Sequence, residues 1–359
     1  MAKIPWITVD SKSEGAITEH RQAFESLTLE ESQHQSPSFI TLVGKKTKSA
    51  VLQHLLGDAA GGNFLADAHN QIYLWEDPKT RKNTSPILFI DCELQNYSSS
   101  QLLLSHSSGE VVTRKFSWQQ PLKRRKMLGS LLCDRVLSPF SDVICYFVMD
   151  LGGLRGVSKL MAWQAVESPS SDLPVLPRIL LVFDTSSPTF DENIAESRSL
   201  ALITETMQNF KQYSKAEDVD IDLKAHFHSI RVLGLNSSMS LAKRSCAFRK
   251  RILSMSEEAR VSRQSTRVKF RFEHFKALSS LALEHFCSTI TAPFSFIQAA
   301  RPCGFSNEGF SACLRDLIEH MPSQAWLWHF VAPLVASALI LSSYPPGSHR
   351  MTPALNPAN

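Results

Sequence analysis

From Phe39 onward the chain alternates short apolar runs with longer stretches in which apolar residues recur at helical spacing. The runs FITLV (39–43), QIYLW (71–75), ILFID (87–91), DVICYFVM (142–149), RILLVF (178–183) and SIRVLGL (229–235) are mostly unbroken by polar residues. Strands buried on both faces have that character. Between them, Ser49–Leu56, Val157–Val166 and Ile194–Tyr213 carry helical periodicity. Such alternation predicts a mainly parallel sheet with helices on both faces. Residues 1–37 are polar and read as a loosely attached lead-in with one helix around Ile17–Glu31. After Leu235 the strand pattern stops. A basic stretch, 242–271, leads into helical text in which Glu-His-Phe recurs at 273–275 and 284–286, eleven residues apart and therefore on one helix face. The division this predicts is a lead-in (1–37), an α/β domain (38–240), an all-α domain (241–345) and a tail (346–359).

Composition narrows the setting. The chain has 359 residues, 43% of them apolar, and a net charge of +4, too small to call for a polyanionic partner. Nucleic acid is therefore not expected, and the basic stretches 114–126 and 243–271 read as solvated faces. Seven cysteines without CxxC spacing suit small buried hydrophobes in a reducing compartment. The N-terminus has no apolar signal core, so a cytoplasmic location is expected. Residues 325–344 approach the length of a membrane span, but His329, Pro333 and three serines interrupt them. A buried or interface helix is preferred there to a membrane anchor. His226 and His228 find no third ligand at usable spacing.

The first run continues into Gly44-Lys45-Lys46-Thr47-Lys48-Ser49 and then a helix. Strand, tight loop and Lys-Ser at a helix start resemble the phosphate-binding loop of P-loop NTPases. There, backbone N–H groups wrap the phosphates, the lysine reaches their oxygens and the hydroxyl serves Mg²⁺. The resemblance assigns Gly44, Lys45, Lys48 and Ser49 to nucleotide, and Ser49 with Asp91 to the metal. Asp91 closes a hydrophobic strand as a Walker B carboxylate does. The pattern also departs: in the Lys48-Ser49 register the two glycine positions hold Leu42 and Thr47. Asp91-Cys92-Glu93-Leu94 lacks the glycine of a GTPase DxxG, and "DTSSP" stands where a guanine-reading motif belongs. The fold expected is thus GTPase-type P-loop α/β, with its chemistry degenerate and hydrolysis weak or absent.

A second motif competes. Asp150-Leu151-Gly152-Gly153-Leu154-Arg155-Gly156 resembles the oxyanion loop of patatin-like phospholipases. That chemistry needs a G-x-S-x-G elbow and an Asp-Gly dyad motif. Ser186 is flanked by Asp184 and Pro188, and the chain contains no Asp-Gly. The hydrolase reading fails, leaving a glycine turn between a strand and a helix.

Several stretches together, among them ILFIDCEL, SPFSDVICYFVMDLGGLRGVSKLMAW, FRFEHFKALSSLALEHF and HFVAPLVASALILSSYPPGSH, resemble the N-terminal region of large fungal multidomain proteins. In those, a P-loop-like domain and a helical segment precede a patatin-like phospholipase domain. The resemblance implies that 325–344 is a soluble helix and that the hydrolase domain would begin beyond this chain. Three readings stay open: a regulatory or scaffolding module that binds GTP or ATP with Mg²⁺, a protein-interaction module working through its helical domain, and a truncated relic lacking the catalytic domain.

Overall fold

In the computed structural model the described residues are 4–10, 15–27, 35–57, 71–92, 110–118, 128–167, 175–187, 189–214, 223–266, 268–290, 292–296, 299, 314–320, 323–333 and 335–336. The strands are β1 (Ile7–Asp10), β2 (Ala16–His20), β3 (Ser38–Val43), β4 (Gln71–Glu76), β5 (Ile87–Cys92), β6 (Val111–Lys115), β7 (Val143–Phe147), β8 (Arg178–Thr185) and β9 (Ser229–Asn236). The main helices are α1 (Lys46–Leu56), α2 (Gly153–Glu167), α3 (Glu192–Ser214), α4 (Leu241–Ser265) and α5 (Phe272–Ser288).

All nine strands form one sheet in the order β6-β2-β1-β4-β5-β3-β7-β8-β9. Neighbours from β5 through β3, β7 and β8 to β9 are parallel. The other end, through β4, β1, β2 and β6, is antiparallel. The sheet is therefore mixed, with a parallel half where the unbroken apolar runs lie. Every residue of β3, β5 and β7 is buried, as helices on both faces require.

Residues 7–10 and 16–20 are not a loose lead-in. Strands β1 and β2 belong to the sheet, and 17–20, expected to be helical, are extended. Both strands are short, and β2 alternates half-buried with buried positions, a period-2 pattern hidden by its polar members. Glu19 is among the buried ones. Its Oε2 forms an ion pair with Arg114 of β6 (2.9 Å) and accepts a hydrogen bond from the Ser280 hydroxyl of α5 (2.9 Å). The first residue of the expected basic face, 114–126, is thus a structural partner in the sheet, while 119–126 lie outside the described residues.

Nor are α4 and α5 the start of a separate helical domain. The chain divides into one unit over 1–294 and another over 295–359, so both helices belong with the sheet. Phe248, Ile252 and Met255 of α4 join Val51, Leu52, Leu55 and Leu56 of α1 over Ile40 and Leu42 of β3. On α5, Phe272, Phe275, Ser279, Ala282, Leu283 and Phe286 make a buried helical stripe. Phe275 packs its ring against Trp6 (5.4 Å between centroids), Phe24 (6.0 Å), Phe39 (4.2 Å) and Phe140 (5.3 Å).

The arginines of the basic run on α4 are held in ion pairs. Arg249 makes a bidentate pair with the fully buried Asp77, both contacts 2.7 Å. Arg263 binds Asp142, whose other oxygen accepts from the Phe39 N–H. Arg251 reaches Glu192 and Arg244 reaches Asp184. These arginines fasten α4 to the sheet and its loops.

In the second unit, residues 314–319 are helical and short helical turns span Gln324–Trp326 and Leu327–Val331. No helix among the described residues is long and apolar enough to cross a membrane. Residues 337–344 of the candidate span lie outside them.

If α5 is integral to the sheet unit, Phe275→Ala should destabilise the whole of residues 4–294 by roughly 3–5 kcal/mol. Urea unfolding followed by tryptophan fluorescence and by circular dichroism should then shift together. Loss of α5 helicity alone, with the remaining signal unmoved, would contradict this placement.

Candidate functional site

The two strands that carry the expected site, β3 and β5, are adjacent and parallel. Between the end of β3 at Val43 and the start of α1 at Lys46 stand only Gly44 and Lys45. The chain enters a helix almost at once, and Lys45 occupies the N-cap without any side-chain cap. A helix start leaves up to four N–H groups without partners and carries a partial positive charge. Both call for an anion.

The anion is supplied from within the chain. Asp150, in the turn after β7, places its carboxylate at the head of α1. Its Oδ2 accepts from the N–H groups of Lys45 (2.8 Å) and Lys48 (3.0 Å), and its Oδ1 accepts from that of Thr47 (3.1 Å). Gly44 lets the carboxylate approach: a Cβ there would lie 2.9 Å from Asp150 Oδ2 and 2.9 Å from the Phe147 Cβ.

Lys48 is buried, 2% exposed, and its Nζ pairs with Asp91 Oδ1. Tyr73 lies across the β4–β5 ladder from Asp91. Burial first, and then the Asp91 charge, push the Tyr73 phenol up from its ordinary range. Ser49 is half-buried and donates its backbone N–H to the Lys45 carbonyl (2.9 Å). Gly44, Lys45, Lys48, Ser49 and Asp91 therefore lie at the ends of the adjacent strands β3 and β5 and the start of α1. Their division of labour differs from the expectation, because Lys48 and Asp91 neutralise each other.

A magnesium nucleotide does not fit this arrangement. Two loop residues are too few to wrap a phosphate in successive N–H groups, and three N–H groups at the helix start already serve Asp150. A phosphate there would meet a carboxylate of like charge at close range. The lysine that would reach the phosphate oxygens is bound to the carboxylate that would hold the metal.

The turn that delivers Asp150 is the glycine motif. Gly152 (φ +83°) and Gly153 (φ +79°) are both left-handed, a conformation costing L-residues about 1–2 kcal/mol each. Gly156 answers a different need, since a Cβ there would stand 1.9 Å from the Leu151 carbonyl oxygen. Arg155 is exposed. The glycines make a turn that aims Asp150, as a strand-to-helix connection and not as an oxyanion hole.

Among the described residues the buried thiols are held protonated. Burial pushes the Cys145 thiol well above its usual range and that of Cys287 up to about 12. Cys133 is raised first by its hydrogen bond with Cys92 and then by burial. Among the described residues no cluster of three or more His, Cys, Asp or Glu side chains is placed to hold a metal ion.

No protein-family model and no curated protein matches the chain. Solved structures match only loosely. Era from Aquifex aeolicus, bound to GDP and AlF4⁻, aligns at 13% identity over 62% of this chain with a TM-score of 0.29; the match spans 57% of that protein. An ADP-ribosylation-factor-like GTP-binding protein from Encephalitozoon cuniculi, in complex with GDP, aligns at 12% identity over 68% of this chain and 90% of its own, TM-score 0.31. The siderophore hydrolase EstA from Aspergillus nidulans aligns at 9% identity over 71% of this chain and 94% of its own, TM-score 0.29. GTP-binding proteins and a hydrolase score alike, so the site must be read from its own residues.

Replacing Lys48 by Met strands a buried Asp91 charge and should cost roughly 3–5 kcal/mol. Adding Asp91→Leu in the same chain should return most of that loss. Chemical denaturation of the two variants checks it. Equal stability of Lys48→Met and wild type would mean the pair is not formed.

Proposed function

We propose that the chain is a protein-interaction module built on a GTPase-type P-loop fold, with its phosphate site filled by its own carboxylate. The observation that carries this reading is the Asp150 side chain on the N–H groups of Lys45, Thr47 and Lys48. Counted from β3, the strands run second, third, first, fifth, sixth, seventh across this part of the sheet, with the second antiparallel and the fourth, β6, at the far edge beyond β1 and β2. The loop strand and the Asp91 strand lie side by side, which supports the P-loop-type reading of the topology. The chemistry has been turned inward: a resident anion in place of phosphate, and a lysine–aspartate pair in place of lysine–phosphate and aspartate–magnesium.

The working surface then lies elsewhere. Met149 follows the end of β7 and is 60% exposed; Met239 follows β9 and is 49% exposed. Ile194, at the start of the helix after β8, is 51% exposed. Three large apolar side chains beyond the C-terminal ends of three neighbouring strands support contact with another protein, and methionine suits adaptable surfaces. The resemblance to the segment that precedes patatin-like phospholipase domains agrees with an accessory role in the cytoplasm.

Thermal unfolding with and without millimolar Mg²⁺–GTP and Mg²⁺–ATP tests the reading. A nucleotide present at 100 times its Kd would stabilise the fold by about 2.7 kcal/mol. No shift is expected for the wild type. A shift that Lys48→Ala abolishes would restore the competing reading, a nucleotide-binding regulatory module using Lys48, Ser49 and Asp91.

A further inference from the structure

Strand β6 is the last of the sheet, and its side chains alternate. Val112 and Arg114 are half-buried, whereas Val111, Thr113 and Lys115 are exposed. The half-buried face turns to α5, where Arg114 Nη2 donates to the Ser280 hydroxyl (2.7 Å). Strand and helix do not close fully on each other. Between them lies a cleft of about 790 Å³, lined also by Glu19 of β2 and by Phe24. Along α5 it runs from Lys276 to Glu284, roughly 12 Å of helix. Pockets for small molecules span roughly 300–1,000 Å³, so the space suits such a ligand.

One ion pair in the wall of this cleft is only half made. Glu19 is fully buried, and its Oε2 is held by Arg114 and Ser280. Its Oε1 has no hydrogen-bond partner, and neither has the buried Nη1 of Arg114. The pairing of β2 with β6, which sets Glu19 opposite Val112, fixes both side chains beside the cleft. An acceptor and a donor left unmade within one buried pair are costly. A single ligand group that carries both an N–H and a C=O answers them together, and a carboxamide is that group. A carboxylate would bring only acceptors and a charge that Glu19 repels. An ammonium would bring only donors and a charge that Arg114 repels.

The remaining wall favours a neutral molecule with an apolar body. Phe24, Val112 and Leu281 supply apolar surface, and Leu281 is 40% exposed. The other charges are of both signs. Arg21 is paired with Glu110, Lys276 Nζ stands 6.0 Å from the centroid of the Phe24 ring, and Glu284 lies a further two turns along α5.

We propose that the cleft between β2, β6 and α5 binds a neutral carboxamide with an apolar body, Glu19 Oε1 accepting its N–H and Arg114 Nη1 donating to its C=O. The cleft belongs to the antiparallel half of the sheet, whereas Met149, Ile194 and Met239 stand beyond strand ends of the parallel half. Binding here is therefore independent of the protein contact proposed above.

Three molecules of similar shape test it: benzamide, benzoate and benzylamine. Each is titrated into the full chain and followed by backbone amide NMR shifts, up to about 20 mM, because a fragment this small binds with a Kd on the order of 1 mM. Benzamide is expected to shift the amides of Val112, Ser280 and Leu281 and to approach saturation. Benzoate and benzylamine, each lacking one half of the match, are expected to bind roughly tenfold more weakly. Leu281→Glu, an exposed position outside the ion pair, is expected to weaken benzamide several-fold. No benzamide shift at these amides, equal binding of the three molecules, or binding unchanged by Leu281→Glu would each overturn the proposal and leave the interaction-module reading as it stands.

Discussion

The head of helix α1 needs a negative charge, and the carboxylate of Asp150 provides it. The helix begins two residues after a fully buried strand, with a lysine at its N-cap, so its first N–H groups have no local partner. Leaving such groups buried and unmade costs about 1–3 kcal/mol each. The requirement fixes several other features. Gly44 must lack a side chain, the turn after β7 must pass through two left-handed residues, and Gly156 must clear the Leu151 carbonyl. The glycine motif that resembles an oxyanion loop is explained by this single contact.

A similar economy of charge governs the remainder of the sheet unit. The basic text of α4 reads as a solvated face, yet Arg249, Arg251 and Arg263 are each occupied by a carboxylate of the same chain. Arg114 belongs to Glu19. Such pairs add little as isolated surface contacts, but a buried partner left alone is costly. They set where α4 and the outer strands sit more than they add net stability. Lys48 and Asp91 follow the same rule at the site itself, each occupied by the other.

The parallel half of the fold was legible from residue pattern, because unbroken apolar runs have few alternatives to a strand buried on both faces. The predicted runs 39–43, 87–91 and 229–235 differ by about one residue from β3, β5 and β9. In the antiparallel half only β4 was legible, as the run 71–75. Strands β1, β2 and β6 are short, and Glu19 reads as surface until Arg114 and Ser280, far away in sequence, are placed beside it. Helices α4 and α5 were visible as helices, but their attachment was not. Phe275 meets rings from positions 6, 24, 39 and 140, contacts that no local pattern records. At the site, Lys48, Ser49 and Asp91 were legible as candidates because loop and strand spacing are local. Asp150 was passed over as part of a turn. A usable signal existed in the uncapped start of α1, which demands an anion from elsewhere.

The most direct measurement is amide hydrogen exchange at Lys45, Thr47 and Lys48 in wild-type protein, followed by NMR in buffer free of phosphate and nucleotide. With the Asp150 carboxylate seated, these three amides should be protected to about the level of the adjoining β3 strand. Rapid exchange at all three, at the rate of an uncapped helix start, would show the seat to be open and contradict the account.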